Sequence, residues 1–520
     1  MLSKSRNSCE HCLEEKMKCG RERPTCGNCT DLGISCKYRM VLHWGGRPNK
    51  KVNKKPKIHE GLSVVNGVFV IKRCEKSSQH RRRKSSAQSS EVAFPKQTKF
   101  SPAVDPNSPM GFVRSSEHYW SLWLHFTENT SHILVATIEA NKGEHPFRVT
   151  IPNLAKRSLT LTKLLIAFGA RHRYQLCQQP KDYDISQLML GEAGKELVKI
   201  IESLPHMDEK TGELTLACIL MLAGYCIFFG DNKMRWTIHL GAARYILSSI
   251  LNRTKRSDGQ KSVVVTYCAD PGPRFFLIRW FAFMTVLGLL SSSPLANSEP
   301  LVFDFSGFNQ RCRTAKGKLD FESFEYNAGL RTTTLEMLMK TGKLIIAHES
   351  QSCSAKERNM LLGEAIELDY EIMRYFDSSE SWNRILASAK GDELLLATDL
   401  LFGLSGMLHL RRRIMNLPSS SKMVKDLVLR AARVLLDEVP SSGTALCSIT
   451  SCIFAFGCEC GAGSGLEPLQ PLFSSRLEQI ELLGMPATSP ARSIMHECWE
   501  KGSCWWEIYK ERNIELSFGT

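Results

Sequence analysis

The residues of this 520-residue chain with the plainest chemistry are six cysteines near its start. Cys9, Cys12 and Cys19 follow the spacing C-x2-C-x6-C, and Cys26, Cys29 and Cys36 repeat it 17 residues later. A repeat of ligand-type side chains implies two similar half-sites. Three chemistries use cysteines at this density. A disulfide framework suits small secreted domains. A CxxC redox site needs a βαβ context, and none follows here. A metal cluster needs thiolates that converge at short spacing, and thiolate is a soft ligand that selects zinc in tetrahedral sites. The opening MLSKSRNSC has no apolar stretch of the signal-peptide kind. No long uncharged apolar run stands out; the nearest, residues 275–290, is short, contains Arg279 and reads as a buried helix. The expected compartment is therefore reducing, and the expected chemistry is metal binding.

The stretch CEHCLEEKMKCGRERPTCGNCTDLGISC resembles the fungal binuclear zinc cluster, in which six cysteines bind two zinc ions. Two tetrahedral zincs need eight sulfur contacts, so two cysteines must bridge. The resemblance implies that Cys9 and Cys26 are the bridges, and Pro24 stands where the family has a proline in the loop between halves. A module this small cannot bury enough apolar surface to fold alone, and zinc supplies the missing folding energy. Such modules hold a short helix in each half and place a helix in the major groove, with dimer spacing setting half-site separation.

The two halves are chemically unequal. The first carries Lys16, Lys18, Arg21 and Arg23; between its ligands the second carries Thr30, Asp31, Leu32, Gly33, Ile34 and Ser35, with no basic residue. The first half is the expected reader, because lysine donates to guanine O6 and N7. The resemblance implies that Lys16 contacts bases of a CGG triplet and that Lys18 touches base or phosphate. Arg21 and Arg23 are expected on phosphates, which position without specifying sequence. The family has basic residues right after the second cysteine and two positions later. Here those positions are Leu13 and Glu15, with Glu14 between them. The acids would repel phosphate, or accept from cytosine N4 and shift the preferred triplet, or simply face solvent.

Net charge is +15, and residues 1–100 carry all of it, with 23 Lys and Arg against 8 Asp and Glu. That asymmetry is the electrostatic footprint of a nucleic-acid-binding end. The runs KKVNKKPK at 50–57 and RRRK at 81–84 could serve nuclear import, phosphate contact, or only as solvated linker. Between them, LSVVNGVFVIKR at 62–73 places two β-rich runs around Asn66-Gly67, which predicts a hairpin. No sustained apolar heptad appears between 37 and 115, so a parallel coiled-coil dimer is not expected, although homodimerisation elsewhere stays open.

A polar, Pro-containing linker runs from about 85 to 112, and helical patterning follows to the last residues. Examples are LTLTKLLIAFGARHRYQL, LTLACILMLAGYCIFFG, RWTIHLGAARYILSSIL, RFFLIRWFAFMTVLGLL and KDLVLRAARVLLDEV. This portion resembles the regulatory domain of fungal zinc-cluster transcription factors. HPFRVTIPNLAKRSLTLTKLLIAFGARH, WTIHLGAARYIL, RFFLIRWFAFMTVLGLLSS, IFAFGCECG and WWEIYKE carry the likeness. The resemblance implies an all-α array that senses a metabolite, contacts coregulators or restrains activity. No HExxH, Walker loop or GxSxG elbow is present, and an enzyme is not expected. GAGSG at 461–465 reads as a loop. Cys447, Cys452, Cys458 and Cys460 lack zinc-ligand spacing and read as small buried residues. Trp236, His239, Arg279 and Trp280 could line a ligand pocket or pack helices with buried hydrogen bonds, and His172 reads the same way.

The expectation is a zinc-folded Zn2Cys6 module (1–40), a basic linker with a hairpin (41–112) and a large all-α regulatory domain (113–520). The expected function is a nuclear, sequence-specific regulator of transcription that binds double-stranded DNA and coregulators, not membranes. The alternative is a zinc-cluster protein with weakened DNA binding that acts through protein contacts.

Overall fold

The computed structural model describes residues 12, 19, 26–34, 62–65, 68–71, 105–106, 108–136, 145–202, 207–230, 235–247, 273–291, 324–325, 328–350, 352–377 and 393–518. The chain divides into two compact units, Met1–Gly61 and Leu62–Thr520. In the first, Cys12 has helical backbone, and helix α1 spans Gly27–Asp31.

The second unit opens on a hairpin. Strand β1 (Leu62–Val65) pairs antiparallel with β2 (Val68–Ile71), with Val65 opposite Val68. Only Asn66 and Gly67 lie between the strands, as the sequence predicts. Nine α-helices then follow among the described residues: α2 (Pro109–Arg114), α3 (Glu117–His125), α4 (Ser131–Ile133), α5 (Thr150–Ala155), α6 (Leu159–Cys177), α7 (Pro180–Glu202), α8 (Glu209–Phe229), α9 (Arg235–Ile246) and α10 (Pro273–Ser291), with a π-turn, Phe126–Thr130, joining α3 to α4. A two-residue pair, β3 (Phe324–Glu325) with β4 (Leu330–Arg331), leads into α11 (Thr332–Glu349) and α12 (Ala355–Asp377). The chain closes with α13 (Glu393–His409), α14 (Lys422–Asp437), α15 (Ala445–Ser448), α16 (Thr450–Cys458), α17 (Gln470–Leu482), α18 (Thr488–Lys501) and α19 (Trp505–Arg512).

Local chemistry sets the helix starts. Ser108, Ser116, Ser158, Asp208 and Ser421 each accept an N–H of the first turn of the helix they precede. Such caps satisfy backbone donors that have no partner inside the helix. α6 is deeply enclosed, with every residue from Thr160 to Ala170 buried. It packs against α3, α7 and α8. α7 buries a single stripe, Asp182, Ser186, Met189, Ala193 and Leu197. Asp182 has no exposed side-chain surface and takes a bidentate grip from Arg173 of α6, at 2.7 Å to Nε and 2.6 Å to Nη2.

The closing segments that carry the likeness meet in space: Phe454 of α16 lies 5.8 Å from Trp505 of α19, centroid to centroid. The GAGSG stretch forms the loop after α16, with Gly463 and Gly465 at positive φ. Two helices, Glu209–Phe229 and Glu393–Ile414, are long and apolar enough to cross a membrane by composition alone. Both are longer than the apolar run at 275–290. Of their most apolar 18-residue stretches, 78% and 89% lie buried inside the protein, which is the signature of core helices.

After α13 the helix widens into a π-turn, Leu410–Ile414, that carries three consecutive arginines. Arg411 holds Asp369 of α12 through two bonds of 2.9 Å and donates to the Met423 carbonyl at 2.7 Å. Arg412 pairs with Glu459 at 2.7 Å and donates to the Leu417 carbonyl. Arg413 reaches Glu349 of α11 at 2.8 Å and the Leu290 carbonyl of α10 at 3.1 Å. One turn thus ties down five neighbouring segments: α10, α11, α12, α14 and the end of α16.

Candidate metal centre

Cys26 is the N-cap of α1, with extended backbone at φ −77° and ψ 153°. Its carbonyl accepts the Thr30 N–H at 3.0 Å and the Thr30 hydroxyl at 3.1 Å. The helical turn that follows brings Cys29, three residues on, to the same side as Cys26. The helix is stopped by Gly33 at φ +64°, a conformation that L side chains rarely adopt. Gly33 N–H bonds the Thr30 carbonyl at 3.1 Å and Ile34 N–H bonds the Cys29 carbonyl at 2.9 Å. This is a Schellman ending. The second half of the repeat is therefore a helix of fixed length with a cysteine at its cap and another in its first turn.

Cys12 comes from the first half. Its sulfur is 3.7 Å from that of Cys26, and the sulfurs of Cys12, Cys26 and Cys29 all lie within 4.8 Å of one another. A disulfide would bring two sulfurs to about 2.05 Å. Sulfurs bound at about 2.3 Å around one tetrahedral zinc sit about 3.8 Å apart. The observed spacing fits shared metal ligation. Cys12, Cys19, Cys26 and Cys29 form a buried cluster with no aliphatic member among the described residues. Four thiols alone provide little apolar cohesion, so the chemistry of this donor set fits zinc.

Asn28 was not a candidate in the sequence, yet its side-chain amide donates to Cys12 Sγ at 3.8 Å. Its position between Cys26 and Cys29 is the only signal that could have suggested it. The outward face of α1 carries Gly27, Thr30 and Asp31, followed by exposed Leu32 and Ile34, with no basic group. Cys9, Cys36, Lys16, Lys18, Arg21, Arg23, Leu13, Glu14 and Glu15 lie outside the described residues.

The other candidates behave as packing residues. Trp236 and Trp280 are buried, and Trp280 lies edge-on to Phe147 at 4.9 Å and stacked on Phe276 at 5.8 Å. Among the described residues neither indole N–H finds a partner, so the expected buried hydrogen bonds are absent for this pair. His239 and Arg279 are half-buried. His172 has no exposed surface; it contacts the Thr130 hydroxyl at 2.9 Å and the Leu483 carbonyl at 3.0 Å. Burial lowers its pKa to about 4. Cys447, Cys452 and Cys460 are buried, and burial pushes each thiol up to about 12.

Residues 121–519 match the fungal specific transcription factor domain, and residues 7–44 match the fungal Zn(2)-Cys(6) binuclear cluster domain. The chain is 41% identical over 44 residues to a cercosporin biosynthesis regulatory protein of Cercospora beticola, covering 8% of this chain and 11% of that one. It is 51% identical over 35 residues to sterol uptake control protein 2 of Candida albicans, covering 7% and 5%. It is 36% identical over 45 residues to the aflatoxin biosynthesis regulatory protein of Aspergillus flavus, covering 9% and 10%. The chain spans about a tenth or less of the length of these curated relatives. No solved structure matches it.

Proposed function

The chain belongs to the fungal specific transcription factor domain family and carries a Zn(2)-Cys(6) cluster domain, and from that premise we propose that it regulates RNA polymerase II genes by reading a CGG-like triplet. Cys9, Cys12, Cys19, Cys26, Cys29 and Cys36 hold two zinc ions, with Cys9 and Cys26 as bridges. The observation that carries this reading is the convergence of Cys12, Cys26 and Cys29 to within 4.8 Å. A bridging Cys26 must lie close to ligands of both halves, and Cys12 and Cys29 flank it here. Zinc, when bound, supplies the cohesion that the cysteine cluster lacks and fixes the helix of each half. Lys16 and Lys18 then face base edges, while Arg21 and Arg23 hold phosphates. The absence of any basic group on α1 supports the division into a reading first half and a supporting second half.

Residues 1–40 form the DNA-binding domain, 41–112 a basic linker, and 113–520 the regulatory domain. The protein acts in the nucleus, on double-stranded DNA, with coregulators as further partners. The test is selection of bound sequences from a random DNA pool by the full zinc-loaded chain, repeated with a chelator. Enrichment of a CGG-type triplet that chelation abolishes is the expected result. Salt-sensitive binding without an enriched motif would sink the reading. A second reading, in which DNA binding is weak and protein contacts dominate, rests on Leu13, Glu14 and Glu15 at or beside positions that the family fills with basic residues. A large gain in DNA affinity in Glu15→Lys would favour it; an unchanged affinity would remove its basis.

A further inference from the structure

Near the end of the second compact unit lies a cavity of about 180 Å³. A single water needs roughly 10–15 Å³, so the space suits a molecule of several heavy atoms. Its wall carries two charged side chains, Arg412 and Glu459. Arg412 is fully engaged. It lies 2.7 Å from Glu459 Oε2, donates to the Leu417 carbonyl, and donates to Cys504 Sγ at 3.1 Å. Glu459 is not fully engaged, although the residue is only 3% exposed. Its Oε2 takes Arg412 and the Ser419 hydroxyl, the latter at 2.5 Å. Its Oε1 has no hydrogen-bond partner among the described residues and is not sealed off by protein, so it opens on the cavity. A buried carboxylate oxygen calls for a donor, because an unmet charged acceptor bears its full desolvation cost.

The surroundings are negative on balance. Two helices end on the cavity: α16, whose C-cap is Glu459, and α18, whose C-cap is Gly502. The last carbonyls of a helix lack partners within it and carry the negative end of its dipole. The helix that starts here, α19, has Cys504 as its N-cap, and Glu507 already meets its positive end by accepting the Cys504 N–H at 2.9 Å. Glu467 accepts the N–H of Gly463, a wall residue, at 2.7 Å. Three carboxylates, Glu459, Glu467 and Glu507, therefore flank the cavity against two cations, Arg412 on the wall and Lys425 beside Gly465. Lys501, at the end of α18, is turned to Glu497 at 2.7 Å. Ser420 and Ser503 add wall hydroxyls, which both donate and accept.

We propose that this cavity binds a small organic ammonium ion that also carries a hydroxyl, such as a short amino alcohol. Its ammonium sits on Glu459 Oε1 and its hydroxyl between Ser420 and Ser503. An ammonium offers three donors. One satisfies Oε1, and the others reach the carbonyl ends of α16 and α18. An anion is disfavoured, because the one cation on the wall has its donors engaged. A bare metal ion would leave most of the volume unfilled. Occupancy would brace the ends of α16 and α18 and the start of α19 against Arg412, so the ligand stabilises this arrangement of the helices.

The test offers ethanolammonium chloride to the full zinc-loaded chain, with ethylene glycol as the uncharged analogue and acetate as the anion. The expected result is saturable binding of ethanolammonium, seen by saturation-transfer NMR and by a rise in Tm, with neither control binding. A hydrogen bond to a charged group is worth roughly tenfold or more in affinity, so Glu459→Gln should weaken binding at least about tenfold. That change also takes a partner from Arg412. Ser503→Leu is therefore the second variant: it fills the space, leaves the ion pair in place and should abolish binding. Absence of saturable ethanolammonium binding would overturn the proposal, as would equal binding of ethylene glycol. Undiminished binding in Ser503→Leu would place the amine elsewhere and end it too. A rise in Tm with potassium or calcium ion but not with ethanolammonium would make this a metal-ion site instead. A chelator that strips the cysteine cluster should leave the affinity for ethanolammonium unchanged, so this proposal and the zinc cluster are tested separately.

Discussion

Asn28 donates to Cys12 Sγ across 16 residues of chain, from one half of the repeat to the other. A donor aimed at a ligating thiolate lowers the charge that the metal must neutralise and fixes the sulfur's orientation, and loss of such outer partners weakens metal binding roughly 10- to 100-fold. Asn28→Ala should therefore lower zinc affinity by about tenfold at least, measured by competition with a chromophoric chelator. An unchanged affinity would mean the hydrogen bond is incidental. The cysteines themselves were legible because their geometry is local: a cap residue and its neighbour three positions on. Asn28 was not, because its partner lies in the other half. A similar blindness covers Asp399, which is wholly buried and accepts the Arg331 backbone N–H at 2.8 Å and its Nε at 2.7 Å. Asp399→Ala removes the carboxylate that takes both the Arg331 N–H and its Nε and should cost about 3–5 kcal/mol, read from the urea midpoint. Replacing both partners by apolar residues should cost far less, because no uncompensated charge is left behind.

Helices α6, α8 and α10 could be read from the sequence because each is a long run with a broad apolar face, and burial follows from composition. The turn at 410–414 could not. LRRRI reads as a basic surface run, yet Arg411 and Arg413 are buried and bond acids 42 and 64 residues away. Pattern finds a face; it does not find the partner that neutralises a charge on it. Buried imidazoles at helix contacts give the element scale its own test. Burial lowers the pKa of His145 and His172 to about 4 and that of His409 to about 3. Their unfolded value is about 6.5. As pH falls from about 6.5 towards 4, the unfolded chain takes up protons that the folded one refuses. Stability therefore falls with falling pH, by up to about 1.4 kcal/mol per pH unit for each histidine. Glu515, pushed up to about 7 by burial, acts in the opposite sense over this window, and one carboxyl cannot offset three imidazoles. The urea midpoint of the full chain should drop steadily between about pH 7 and pH 5. A flat profile would mean that these histidines accept protons without leaving the fold.

Charge is partitioned over the molecule as a whole. Residues 1–100 carry 23 basic against 8 acidic residues, and the remaining 420 are balanced. A balanced stretch has no net long-range pull on DNA, so the proposed function places the electrostatic attraction in residues 1–100, beside the cysteine cluster. This separates two effects that a single affinity would mix. On the proposed function, base readout belongs to the cluster, and counterion release belongs mostly to the lysines that follow it. Each neutralised phosphate adds a slope of about −0.9 in log K against log salt concentration. Replacing Lys50, Lys51, Lys54, Lys55 and Lys57 by glutamine should therefore flatten that slope by up to about 0.9 for every phosphate left without its lysine, with the selected triplet unchanged. Lys16→Ala should do the reverse. It should cost about 1–3 kcal/mol on the selected triplet, little on unrelated DNA, and so narrow the gap between them. Affinity measured at several salt concentrations, on selected and scrambled duplexes, reads both at once. If Lys16→Ala instead lowers binding to all sequences equally, Lys16 holds a phosphate and the reading residue lies elsewhere in the first half of the cluster.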